Sequence, residues 1–145
     1  MADASHHESQ FSRPAVHVEL VWTEKLQFGA TTASSALVVD GDSVAGPSPV
    51  QLLATALLAC MSADVVDILQ KGRHAFTGFH AVLAGDRMPD PPRRLTRVTL
   101  QFTVHGTVPA AAIERAIILS REKYCSVWHS LRQDIELATA FDIIA

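Results

Sequence analysis

Apolar and polar positions alternate with period two at the start of the chain. Val16, Val18, Leu20 and Trp22 fall on one face, and His17, Glu19 and Val21 on the other, which predicts a β-strand. "KLQFGAT" and "SALVVDG" predict two more, the last ending near Gly41-Asp42. The period then changes. "GPSPVQLLATALLACMSADVVDILQKG", residues 46–72, reads as one long helix. Ser48 is its N-cap, Pro49 suits the first helical position and Gly72 suits the stop. "FTGFHAVLAGDRM" predicts a strand and "PDPP" a turn. In "RRLTRVTLQFTVHG", Thr96, Val98, Leu100, Phe102 and Val104 share a face opposite Arg97, Thr99, Gln101 and Thr103. Pro109 opens a second helix, "PAAAIERAIILSREKYC", a short helical turn "SVWHSLRQ" follows, and "IELATAFDII" closes the chain as a strand. The order βββ-α-ββ-αα-β, with strands in runs, predicts an α+β fold. Residues 1–14 read as a disordered leader and residues 15–145 as a single domain.

Composition narrows what this fold can serve. The chain has 145 residues, 48% of them hydrophobic, which supports one domain with a real core. A formal net charge of −3 and a basic cluster no larger than Arg93, Arg94 and Arg97 give no electrostatic case for nucleic acid. The polar N-terminus predicts no signal peptide. Residues 50–69 are the most apolar run, yet they carry Gln51, Asp64 and Asp67. Two aspartates in the C-terminal half argue against a membrane span, so the expected location is the cytoplasm. The uncharged stretch over residues 52–61 predicts a helix buried on most sides, by sheet, by the second helix or by another subunit.

Candidate chemistry rests on two cysteines. Cys60 lies mid-helix on a line with Leu53, Ala56, Leu57, Ala63, Asp64 and Asp67. It can be a small buried hydrophobe. An active thiol there needs a cation from elsewhere in the fold, because the helix N-terminus is too far away to help. Cys125 sits in "REKYCSVWH", where the second helix breaks. Arg121 and His129, four residues either side, share its face if both segments are helical. It too can be a packed core residue, beside Tyr124 and Trp128. Cys60, Cys125 and His129 offer three metal ligands, but without a C-x-x-C pair or a fourth donor no metal is expected. His80 and His105 lie on strand-like segments and read as surface or satisfied histidines.

The two segments "GPSPVQLLATALLACMSADVVDIL" and "ERAIILSREKYCSV", with the hairpin "GDRMPDPPRRLTRVTLQFTVHG" between them, resemble the OsmC/Ohr superfamily. The resemblance runs over residues 15–145 and is nearest to its less characterised OsmC-like branch. It implies an intertwined homodimer with the central helices buried between sheets. It also implies a thiol peroxidase that reduces organic hydroperoxides without a cofactor and is restored by a dithiol reductant. Cys60 would be the peroxidatic residue and Cys125 the resolving one, joined as a disulfide during turnover. Leu53, Leu57, Tyr124 and Trp128 would wall an apolar substrate pocket. Two positions depart from the family pattern. Val50 stands where the peroxidases carry a glutamate, and residues 15–40 contain no arginine to pair with it, Lys25 being their only cation. Arg94 and Arg121 are the candidate substitutes for the thiolate-activating cation. A dimer of this fold that binds an apolar small molecule, or serves as a thiol redox sensor, is the alternative reading.

Overall fold

The computed structural model describes residue 13 and residues 15–145, so the expected leader lies almost entirely outside the described residues. The chain forms two compact units, Met1–Pro49 and Val50–Ala145.

In the first unit, β1 (Glu19–Glu24), β2 (Gln27–Thr31) and β3 (Ala36–Asp40) form an antiparallel meander in that order. The expected period is present, but β1 starts at Glu19 and residues 15–18 precede it outside the ladder. Lys25 takes the left-handed conformation (φ 48°) that closes the β1–β2 turn, and its carbonyl accepts the Trp22 indole N–H at 2.9 Å. After β3 the chain folds back over Asp40, whose carboxylate accepts the backbone N–H groups of Asp42, Val44 and Ala45 at 2.9–3.2 Å. A Cβ on Gly46 would lie 2.3 Å from the Val38 carbonyl oxygen, so only glycine fits that close approach. Leu20, Val21 and Trp22, on both faces of β1, are each more than half exposed.

The second unit is built on a sheet of order β4-β5-β6. β4 (Ala75–Arg87) and β5 (Leu95–Thr107) form a long antiparallel hairpin, and β6 (Glu136–Ile144) runs parallel to β5. A parallel neighbour needs a crossover, and the helical segments between β5 and β6 supply it. The alternation read in β5 holds: Val98, Leu100, Phe102 and Val104 are buried. They share one core with Leu57, Met61, Val65 and Leu69 of α1 (Pro49–Lys71) and with Ile113, Ala116 and Ile117 of α2 (Ala110–Leu119). Each fully buried aliphatic or aromatic side chain there contributes about 1.5–3 kcal/mol relative to exposure.

Within this chain the cover of α1 is partial. Its fully buried residues form a single stripe at four-residue spacing, while Ala56, Ala59 and Ala63 are exposed and Leu53 is 39% exposed. The all-round apolar surface is therefore only partly covered within this chain. By length and composition α1 could cross a membrane, but its stripe belongs to the core and Asp64 and Asp67 interrupt the run. The second helix also ends earlier than its periodicity suggested. It is α-helical to Leu119 and then widens into one π-helical turn, Ser120–Tyr124, before α3 (Ser126–His129).

Candidate thiol site

The π turn decides where the second cysteine points. The Cys125 N–H donates to the Ser120 carbonyl at 2.8 Å, a bond reaching five residues back. Cys125 itself is extended (φ −70°, ψ 97°) and serves as the N-cap of α3, its Sγ accepting the Trp128 N–H at 3.3 Å. The α-helical register therefore does not carry across Cys125. Its side chain is fully buried, whereas Arg121 and His129, expected on its face, are both exposed.

This geometry brings the two sulfurs together. The Sγ atoms of Cys60 and Cys125 and a carboxylate oxygen of Asp64 all lie within 4.8 Å of one another. Both cysteines are free thiols; Cys60 is half-buried and Cys125 buried. Cys60 Sγ also stands 3.9 Å from Ser126 Oγ. Asp64 is one helical turn beyond Cys60 on the same face, and the buried Ser120 hydroxyl donates to its Oδ2 at 2.7 Å. Sequence reasoning put Asp64 on the Cys60 face without giving it a role, and passed over Ser120 and Ser126. Asp64 was visible at i+4 from Cys60. The serines gave no signal, since only the π turn and the α3 cap bring them in.

Electrostatics at Cys125 favour the protonated thiol. Burial pushes it up to about 11; the Trp128 N–H opposes this, and the neighbouring Cys60 and the Asp64 carboxylate add to the rise. Among the described residues no lysine, arginine or histidine acts on it, and none pairs with Asp64. Arg94 is engaged elsewhere: it donates to the Leu95 carbonyl at 3.2 Å and lies 3.9 Å from Asp134. With Val50, Leu53, Arg93, Leu131 and Arg132 it lines a mainly apolar cleft of about 240 Å³. Leu53 is about two turns along α1 from Cys60. Of the other expected pocket walls, Leu57 and Trp128 are closed into the core, and Tyr124 is 50% exposed on the π turn. Beside the two sulfurs, the third potential metal donor is Asp64, in the place sequence reasoning gave to His129.

Comparison with known proteins shows the family and the fold. The family model described as "OsmC-like protein" matches residues 40–140. Protein YhfA of Escherichia coli K12 is 35% identical over 127 residues, covering 86% of this chain and 95% of its own. A hypothetical protein from Aquifex aeolicus VF5 is 26% identical with a TM-score of 0.84, covering 90% of this chain and 97% of its own. The organic hydroperoxide resistance protein OhrB of Bacillus subtilis has the same fold at 14% identity, with a TM-score of 0.61 over 88% of this chain and 98% of its own. An α+β topology, a central helix carrying one thiol, a second thiol beside it and a family model spanning most of the sequence together make this chain a member of the OsmC-like family.

Proposed function

We propose that the protein is a thiol-dependent peroxidase for organic hydroperoxides, with Cys60 as the attacking residue and Cys125 as the resolving one. The observation that carries this reading is the convergence of two free thiols from separate elements to within 4.8 Å. Exposure supports the division of labour: the half-buried Cys60 is the one a peroxide can reach. Its thiolate attacks the O–O bond, the alcohol leaves with a proton, and Cys60 becomes a sulfenic acid. The Cys125 sulfur then attacks that sulfur, water is lost and a disulfide forms. A dithiol reductant returns both thiols by exchange. The family relationship to proteins named for organic hydroperoxide resistance supports the substrate class.

The reading places the chemistry in the cytoplasm, in a homodimer whose chains each form one OsmC-like domain. With no cation beside the sulfurs among the described residues, the first step is slow relative to a peroxidase with an activating arginine. The test is consumption of an organic hydroperoxide by reduced protein with a dithiol. Wild type consumes it; Cys60→Ser falls to the uncatalysed background; Cys125→Ser, oxidised in the absence of the dithiol, accumulates a sulfenic acid trappable by a dimedone probe. Equal turnover by wild type and Cys60→Ser would end the proposal. The cleft at Val50, Leu53 and Arg94 supports a second, non-enzymatic reading, in which the fold holds an apolar molecule with an anionic end. That reading requires a retained mass in native mass spectrometry and no loss of peroxide.

A further inference from the structure

We propose that in the reduced protein Cys60, Asp64 and Cys125 form a binding site for a thiophilic divalent cation of the zinc class. The inference uses the same sulfur pair as the hydroperoxide reading but does not rest on that chemistry.

Three donors meet at one point, and each is negatively charged in its metal-binding form. Their ligating atoms lie within 4.8 Å of one another. Around a tetrahedral zinc with bonds of about 2.0–2.3 Å, ligand atoms stand roughly 3.3–3.8 Å apart, so closure takes side-chain adjustment of about an ångström. The scaffold suits that adjustment. Cys60 and Asp64 are one turn apart on one face of α1, and Cys125 is fixed by two backbone bonds, its own N–H to Ser120 O at 2.8 Å and the Trp128 N–H to its sulfur at 3.3 Å. Asp64 has the outer support expected of a ligating carboxylate: Ser120 Oγ donates to Oδ2 at 2.7 Å.

The charge balance points the same way. Two thiolates and a carboxylate in a half-buried site repel one another, and no described lysine, arginine or histidine pairs with the carboxylate. A divalent cation leaves a net charge of −1 on the set, and the two thiol protons go to solvent. Two sulfurs select a borderline-soft ion over magnesium or calcium. With three protein ligands a fourth position remains for water, the pattern of an open site. Oxidation of the pair to a disulfide removes two of the three donors, so metal occupancy reports the redox state of the thiols.

The experiment uses the full chain, reduced with a phosphine, stripped with a chelator and titrated with zinc against a chromophoric competitor, then with cobalt(II). Wild type takes up one zinc per chain and shows the near-ultraviolet thiolate-to-cobalt charge-transfer band. Either cysteine-to-serine variant loses the band. Asp64→Asn, which keeps the hydrogen bond from Ser120, binds at least about tenfold more weakly, and His129→Ala binds as wild type does. Oxidation by diamide releases the metal. A wild-type protein that gives no thiolate–cobalt band overturns the inference without recourse to any variant, and hydroperoxide turnover by that metal-free protein leaves the enzymatic reading standing. Equal zinc affinity in Asp64→Asn, or loss of binding in His129→Ala, also overturns it.

Discussion

At the scale of single residues, carboxylates do work that the sequence pattern alone does not disclose. Asp40 is 2% exposed and accepts three backbone N–H groups from the loop that follows β3. Those bonds hold its carboxyl below the ordinary value of 3.8, with Lys25 assisting and burial opposing. The sign follows from linkage. A carboxylate whose folded pKa is depressed contributes stability that is fully present above its unfolded pKa and is lost as pH falls through the folded one. The loop should therefore hold at neutral pH and loosen only below 3.8. We expect hydrogen-exchange protection at the Asp42, Val44 and Ala45 amides to fall with acidification in wild type. In Asp40→Asn it should be lower at neutral pH and nearly independent of acidification. Identical acid profiles for the two proteins would remove Asp40 from this role.

At the scale of elements, the π turn Ser120–Tyr124 is the part of the site least legible in the sequence. Both cysteines stood out by their contexts, the long helix was marked by Ser48, Pro49 and Gly72, and the β5 alternation from Val98 to Val104 predicted the buried face correctly. Side-chain periodicity also correctly placed Asp64 on the Cys60 face. It could not place Cys125, because an α-helical count through "SREKYC" puts Arg121 beside it, whereas the wider turn buries the thiol and leaves the guanidinium exposed. A π turn is one residue longer than the α turn it replaces. Deleting Lys123, which is exposed and whose ammonium lies over the Tyr124 ring at 5.3 Å, should restore α-helical register and turn the following positions by about 100°. The expected result is a folded protein with unchanged circular dichroism in which diamide no longer closes the Cys60–Cys125 disulfide. Retention of that disulfide at the wild-type rate would show that the π turn does not set the approach of the thiols.

At the scale of the whole molecule, the distribution of apolar surface argues for a second chain. Leu20, Val21 and Trp22 are 55%, 60% and 64% exposed, and Val16, Val38 and Val44 are exposed as well. Exposed large apolar side chains grouped on a small sheet and the segments flanking it mark an interaction surface more often than isolated ones do. α1 adds to the same imbalance, since one buried stripe leaves its alanine flank and Leu53 uncovered. A second copy packed on either surface would cover it, in keeping with the homodimer that family resemblance implies. Wild type should sediment at twice 15.7 kDa. A charge on each side of β1, in the double variant Val21→Lys and Trp22→Lys, desolvates at least one ammonium group per chain in any interface that uses either face, at several kcal/mol each. That variant should sediment as a monomer or lose solubility. Its Thr23 and Gln27 hydrogen bond at 3.1 Å needs neither altered side chain, so a local readout of the β1–β2 turn separates loss of association from loss of the sheet. Wild type sedimenting at 15.7 kDa, at concentrations where the double variant does the same, would mean that this apolar surface is not covered by a second copy.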